Sequence, residues 1–385
     1  MSAVASGSDD HGPHAPQEAY RRLRSSPQDE TEGRTSSGLC SKGARGLLAM
    51  LMSSFQFSLM ALLVKYLREF STFEVVFWRS IFMFALCIVL LRYKRTDPIG
   101  PRGDQTILIL RGVAGFGFMG GFYFAIKSLP LSDAVVITYT APVITAVAAA
   151  ALLGEAWGRL DAAGSLLCLA GVVLISKPTF VMGLVGVEAA PLPFYGTLGA
   201  VFAAVSATGT YLLLRYARHL DPFVSTNYFA MVGIVLSPAF GWVYGETWHW
   251  PHAEAWLKLV LLALLSVLGQ ACMNIGLALQ TAAKATAMNY VQVVFAFAFQ
   301  AALLHEGSDV LSVVGATMIA SWGGVALLKE ALRGKTEVVR RQEEDHEKAF
   351  RGKAEVVRRQ EEDPEKAFPS LLGTAPELPK EGGHK

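Results

Sequence analysis

Residues 131–155 read LSDAVVITYTAPVITAVAAAALLGE, and residues 282–306 read AAKATAMNYVQVVFAFAFQAALLHE. At a shift of 151 residues, Ala134 falls on Ala285, Tyr139 on Tyr290 and Gly164 on Gly315. The run Ala150-Ala151-Leu152-Leu153, with Glu155 after it, falls on Ala301-Ala302-Leu303-Leu304 and Glu306. The first of these stretches is the middle one of three apolar segments between Arg111 and Pro178. Short polar punctuation at Lys127-Ser128-Leu129-Pro130 and Gly154-Glu155-Ala156-Trp157 separates them. One half of the chain is a copy of the other.

The chain has 385 residues, of which 52% are hydrophobic and 17% charged, with the charge gathered at the two ends. Between Ala44 and Leu332 apolar runs of about 18 residues or more recur, long enough to cross roughly 30 Å of hydrocarbon as helices. Ten spans are expected, near residues 44–64, 72–91, 106–126, 132–153, 160–177, 194–214, 223–244, 256–279, 284–304 and 309–330. The fold class is therefore an all-α polytopic membrane protein with ten transmembrane helices. The net charge of +2 gives no footprint for nucleic acid, and no basic patch alternates with aromatics. Cys40, Cys87, Cys168 and Cys272 are scattered without metal spacing, so free thiols are expected. His249 and His252 flank a proline and lack a third ligand, which reads as an interfacial loop and not a metal site.

The copying reaches the first span of each half, where Leu62-Leu63-Val64-Lys65-Tyr66-Leu67-Arg68 aligns with Leu212-Leu213-Leu214-Arg215-Tyr216-Ala217-Arg218. Each half then has five spans, and an odd number inverts the second half relative to the first. The expected organisation is a disordered N-terminal tail over 1–43, a first five-helix repeat over 44–178 and a linker over 179–193. A second repeat over 194–330 and a charged tail over 331–385 follow. The lysine and arginine bias places both termini in the cytosol. The tail holds its own tandem repeat, RGKTEVVRRQEEDHEKAF at 333–350 and RGKAEVVRRQEEDPEKAF at 351–368. It reads either as a solvated helix broken at Pro364 or as a docking segment for a cytosolic partner.

Several motifs carry a family resemblance. Arg111-Gly112, Phe122-Tyr123-Phe124-Ala125-Ile126, Leu129-Pro130-Leu131-Ser132-Asp133-Ala134, Tyr139-x-Ala141-Pro142-Val143, Glu155 and Gly171-Val172-x-Leu174-Ile175 resemble the EamA repeat of the drug/metabolite transporter superfamily. The second half departs from it, with Val293 opposite Pro142 and Lys284 opposite Asp133. Within the superfamily, Gly100-Pro101-x-Gly103, Leu108-x-Leu110-Arg111-Gly112-Val113 and Val293-Val294-Phe295-Ala296-Phe297-x-Phe299-Gln300 resemble the G branch of solute carrier family 35. The resemblance implies a ten-helix carrier or exchanger with a central cavity and does not fix its substrate; no cofactor is expected.

Ionisable groups within spans cost about 2.5–3.5 kcal/mol at the centre on insertion scales, so each needs a reason. Arg79 lies roughly 10 Å into the second span. It reads either as a cavity-facing partner for an anionic substrate group or as a structural ion pair with Glu74 or a carbonyl. Arg111 begins the third span and is expected to snorkel, and Glu74 is expected at the interface. Gln270 with Asn274, and Asn289 with Gln292, share helix faces, and Tyr139 and Tyr290 stand beside them as candidate ligand contacts. Interhelical hydrogen bonding is the competing reading for the amides. Gln56 is a further polar candidate. Gly117, Gly121 and Ala125 form a ridge of small residues for close helix approach. Pro142 is expected to kink its span or act as a hinge. Glu155 and Glu306 are expected to tie helix ends to their neighbours.

No Walker A motif, membrane-enzyme constellation or intramembrane Asp pair occurs, so neither an ATP-driven pump nor an enzyme is expected. The expected function is secondary transport of a small polar organic metabolite by alternating access, with an anion as one candidate. The alternative is a membrane scaffold or regulator acting through the charged tail. Expected partners are the lipid bilayer and a small-molecule substrate, with a homodimer and a cytosolic tail partner as further candidates.

Overall fold

The computed structural model describes residues 42–67, 69–184, 192–303 and 309–362. The expected N-terminal tail up to residue 41, together with Arg68, Glu306 and Pro364, lies outside them. Every regular element among the described residues is helical. In the first half these are α1 (Lys42–Lys65), α2 (Thr72–Tyr93), α3 (Gln105–Ser128), α4 (Leu131–Thr138), α5 (Ala141–Leu153) and α6 (Arg159–Ser176). A short α7 (Thr179–Leu184) follows. The second half has α8 (Phe194–Tyr216), α9 (Pro222–Val243), α10 (Ala253–Leu279), α11 (Ala282–Ala287), α12 (Val291–Leu303) and α13 (Val310–Glu362).

Among the described residues, nine helical segments are long and apolar enough to cross a membrane, with α4 and α5 taken together. The expected crossing at 284–304 is made of α11 and α12, joined by a 3₁₀ turn at Met288–Tyr290. The segment made of α4 and α5 breaks in the same place, at Tyr139-Thr140, one residue before the Ala141-Pro142 start of α5. Pro142 lacks the donor that a continuous helix needs there. The second break occurs with Val293 in place of the proline, so packing around the turn must hold it open. Elsewhere the ends follow local chemistry. Gly154, at φ 64°, closes α5 in the left-handed region. Asp221 accepts from Phe223 N at 2.9 Å to start α9, with Pro222 at its first position.

The halves interlock instead of forming separate bundles. α3 packs on α8 as α10 packs on α1, α3 on α9 as α10 on α2, and α5 on α8 as α12 on α1. α2 packs on its own counterpart α9, and α6 on its counterpart α13. This list is unchanged when the halves are exchanged, which is the mark of a pseudo-twofold axis between α2 and α9 and between α6 and α13. Glycine makes the approach possible. A Cβ on Gly171 would meet the Gly315 carbonyl at 2.7 Å. The symmetry-related contact puts the Trp322 ring over Gly164. On α3, Gly121 takes the Ala203 amide and the Gly199 carbonyl, where a Cβ would stand 3.0 Å from each. Gly117 receives Phe202 and Ser206.

The departure at Lys284 is matched by a second one at the residue it contacts. Asp133 accepts from Thr179 N at 2.6 Å and from its hydroxyl at 2.5 Å. At the shift of 151 residues these positions become Lys284 and Glu330, which form an ion pair at 2.7 Å. The contact survives with its chemistry exchanged. Beyond its apolar part, Val310–Thr336, α13 continues as one helix into the tandem repeat.

Gly171→Val should push α6 from α13 and lower stability by about 1–3 kcal/mol. The check is the apparent melting temperature of the purified protein in detergent. Gly324→Val, with nothing within 4 Å of its added Cβ, should leave it unchanged.

Candidate functional site

Two polar groupings lie inside the bundle. The first is cationic and involves α1, α2, α3, α9 and α10. Arg79 is 6% exposed and Arg111 is 2% exposed. Both guanidinium groups approach the ring of Phe229, with Cζ 5.9 Å from its centroid for Arg79 and 4.7 Å for Arg111. Phe229 is the position equivalent to Arg79 at a shift of 150 residues, so the axis places an arginine against its own counterpart. The remaining contacts of Arg79 are soft: Met60 Sδ at 3.8 Å and Met119 Sδ at 3.5 Å. Arg111 Nη2 donates to Gln270 Oε1 at 2.5 Å. Arg79 Nε and Arg111 Nε and Nη1 are buried with no hydrogen-bond partner. None of the ion pairs among the described residues involves either arginine.

Arg111 therefore does not snorkel, which corrects the expectation from its place early in the third span. α3 begins at Gln105, so Arg111 enters about 9 Å along the axis. Gly115, one turn on, leaves room for the Phe229 ring, 2.9 Å from where its Cβ would be. The guanidinium turns inward to that ring and to Gln270. Glu74 lies in the first turn of α2. It is 0% exposed, and its Oε1 accepts from His249 N at 2.8 Å. It pins the loop after α9 to the start of α2 and does not pair with Arg79.

The second grouping lies at the two helix breaks. Tyr139 and Tyr290, equivalent by the repeat, face each other with ring centroids 6.2 Å apart and planes 32° from parallel. Tyr211 of α8 joins them and lies beside Asn289. The Tyr290 ring is 0% exposed, and its hydroxyl has no partner. Ser54 and Ser58 of α1 donate to the Met288 and Gln292 carbonyls at 3.2 and 2.8 Å, satisfying backbone groups that the turn frees. Interrupted helices meeting inside a bundle are where transporters place substrate and ion sites.

The remaining candidates divide between these groupings and the frame around them. Asn274 shares a face with Gln270, but its amide donates to the Pro222 carbonyl at 2.9 Å and secures the start of α9. Asn289 is with the tyrosines, while Gln292 is engaged through its backbone. Gln56 Oε1 is buried without a partner. Glu155 joins three elements. Its Oε1 takes Arg215 Nε at 2.5 Å and its Oε2 takes Ala282 N at 2.7 Å. Arg215 also donates to the Leu277 and Ala278 carbonyls at 2.8 and 2.9 Å. The sequence reading missed the depth of Arg111 and the parts played by Phe229 and Tyr211. Phe229 is legible in the sequence as the repeat equivalent of Arg79, but its ring contact with both guanidiniums is not; Tyr211 carries no comparable signal.

This interlocked, twice-broken helical frame matches the EamA-like transporter family twice, over residues 44–177 and 194–328. The chain belongs to that family. It is a multi-pass membrane transporter, and relatives of it carry the names of transporters, not of enzymes. Human solute carrier family 35 member G1 is 34% identical over 290 residues, covering 74% of this chain and 79% of that protein. The pseudopaline exporter CntI of Pseudomonas aeruginosa is 27% identical over 275 residues, covering 71% and 93%. A protein of known crystal structure has the same fold with a TM-score of 0.65 at 19% identity, covering 74% of this chain and 97% of that one.

Glu155→Ala should leave Arg215 as an uncompensated, largely buried charge and cost the EamA-family transporter about 3 kcal/mol. The double variant Glu155→Leu with Arg215→Met should recover most of the loss. Apparent melting temperatures of the two purified variants would check both statements.

Proposed function

We propose that the protein is a secondary transporter of a small polar organic anion. In this reading ten crossings form two five-helix repeats of opposite topology, 44–178 and 194–330, joined by a linker over 179–193, with both termini in the cytosol. Exchange of the two halves' conformations alternately opens a shared chamber to either side. The observation that carries the anionic substrate is a pair of buried guanidinium groups without a carboxylate. Keeping a charge in a low-dielectric interior is costly, and the cost persists in a fold only where something that binds there offsets it. A planar guanidinium matches a carboxylate or phosphate through two parallel hydrogen bonds. Arg79, Arg111 and Gln270 form the anion-binding part of the proposed site. Tyr139, Tyr290, Asn289 and Gln292 line the breaks that would move during exchange, with Pro142 as a hinge. A relative named as an exporter of pseudopaline supports an organic substrate.

Uptake of a panel of radiolabelled organic anions into proteoliposomes tests this reading. Arg79→Met should reduce flux by at least about 30-fold, as loss of one buried charge contact costs about 2–5 kcal/mol. The same variant should leave the ligand-free protein as stable as before or more so, because Met60, Met119 and Phe229 already surround the position with apolar atoms. Removing residues 333–385 should leave flux intact. The reverse pattern, with Arg79→Met harmless and the truncation inactive, would establish a scaffold acting through its tail.

A further inference from the structure

We infer that Gln270 is a neutral positioning residue that orients Arg111 without cancelling its charge, and so sets the site for a ligand bearing two negative charges. The inference rests on the anion-binding reading above and narrows it to a charge class.

The argument begins with the supply of counter-charge. Arg79 is on α2, Arg111 on α3, Phe229 on α9 and Gln270 on α10. These four helices contain two carboxylates in all, Glu74 and Glu254. Neither pairs with an arginine: Glu74 Oε1 accepts from His249 N at 2.8 Å while its Oε2 is buried without a partner, and Glu254 pairs with Lys258 at 2.7 Å. The two arginines therefore bring two positive charges to one aromatic ring with no carboxylate of these helices paired to either. A dianion would restore neutrality; a monoanion would leave one buried cation exposed to the full desolvation cost.

Gln270 occupies the position where a partner of Arg111 is needed. Its side-chain oxygen accepts from Nη2 at 2.5 Å and fixes the guanidinium plane, while Nε and Nη1 keep no partner. Gln270 is half-buried, whereas Arg111 is 2% exposed. A glutamate of the same size would take the same proton but form an ion pair. It would hold Arg111 just as well and remove one of the two charges that a ligand meets. Geometry alone would accept either residue, whereas charge separates them. Gln270 acts through Arg111, so its role is positioning and selectivity, not direct chemistry.

The test uses the purified full-length protein with two probes of matched size, succinate and its monoamide succinamate, at constant ionic strength. Affinity is read from the ligand-dependent rise in melting temperature. Wild type should bind succinate at least about tenfold more tightly than succinamate. Gln270→Glu should lose most of that preference, the ratio falling towards one, while its ligand-free melting temperature holds or rises. Gln270→Met, which keeps the bulk and removes the acceptor, should weaken both probes together and preserve the ratio. A Gln270→Glu protein that keeps the wild-type ratio overturns the inference and leaves the anion site standing; so does a wild type that binds the probes equally. A wild type stabilised by neither probe counts against both the inference and the anion-binding reading beneath it.

Discussion

Helices in hydrocarbon gain little from pressing apolar faces together, because lipid tails are as apolar as leucine. Contact must come from backbones that can approach closely. In this chain Gly171 lies on the Gly315 carbonyl, Gly164 receives Trp322, and Gly121 meets the backbone of α8. These contacts set how the two halves interlock, and therefore which side chains face each other inside. The pairing of α2 with α9 and of α6 with α13 brings equivalent positions together near one axis. Everything polar in the interior is placed by that arrangement.

The halves have diverged in two ways, and the difference separates frame from site. Where the role is structural, divergence is compensated. The Asp133–Thr179 contact returns as Lys284–Glu330, and the break beside Pro142 returns beside Val293 as a 3₁₀ turn with α1 serines on its carbonyls. The interior arginines behave otherwise. Arg79 has Phe229 as its counterpart, and nothing in the second half repeats the charge. A transporter with a symmetric frame needs an asymmetric site if its substrate is itself asymmetric, and the paired arginines are where the asymmetry is greatest.

Were an anion held between the two arginines, its recognition would depend on restraint as much as on attraction. Unpaired N–H groups on both guanidiniums keep hydrogen-bonding capacity for a ligand. Phe229 gives both a favourable face without quenching their charge. The tyrosine cluster at the breaks is different: its donors belong to segments whose helical hydrogen bonding is already interrupted, so little need be broken for them to shift.

The sequence alone determined that the chain is a helical multi-pass membrane protein built from two related sets of segments. The bilayer dictates segment length, and the repeat at 151 residues is written in residues such as Tyr139 and Tyr290. It also pointed to Arg79, because a charge in an apolar run is conspicuous. It did not show which way each helix turns. Helices that are apolar all round carry no polar stripe from which a face can be read. Only the packed structure revealed that Arg111 points inward to Phe229 and Gln270, and that Glu74 faces the His249 amide instead of Arg79. Rotation about the helix axis is fixed by where glycines let neighbouring backbones touch, and that is a property of pairs of helices.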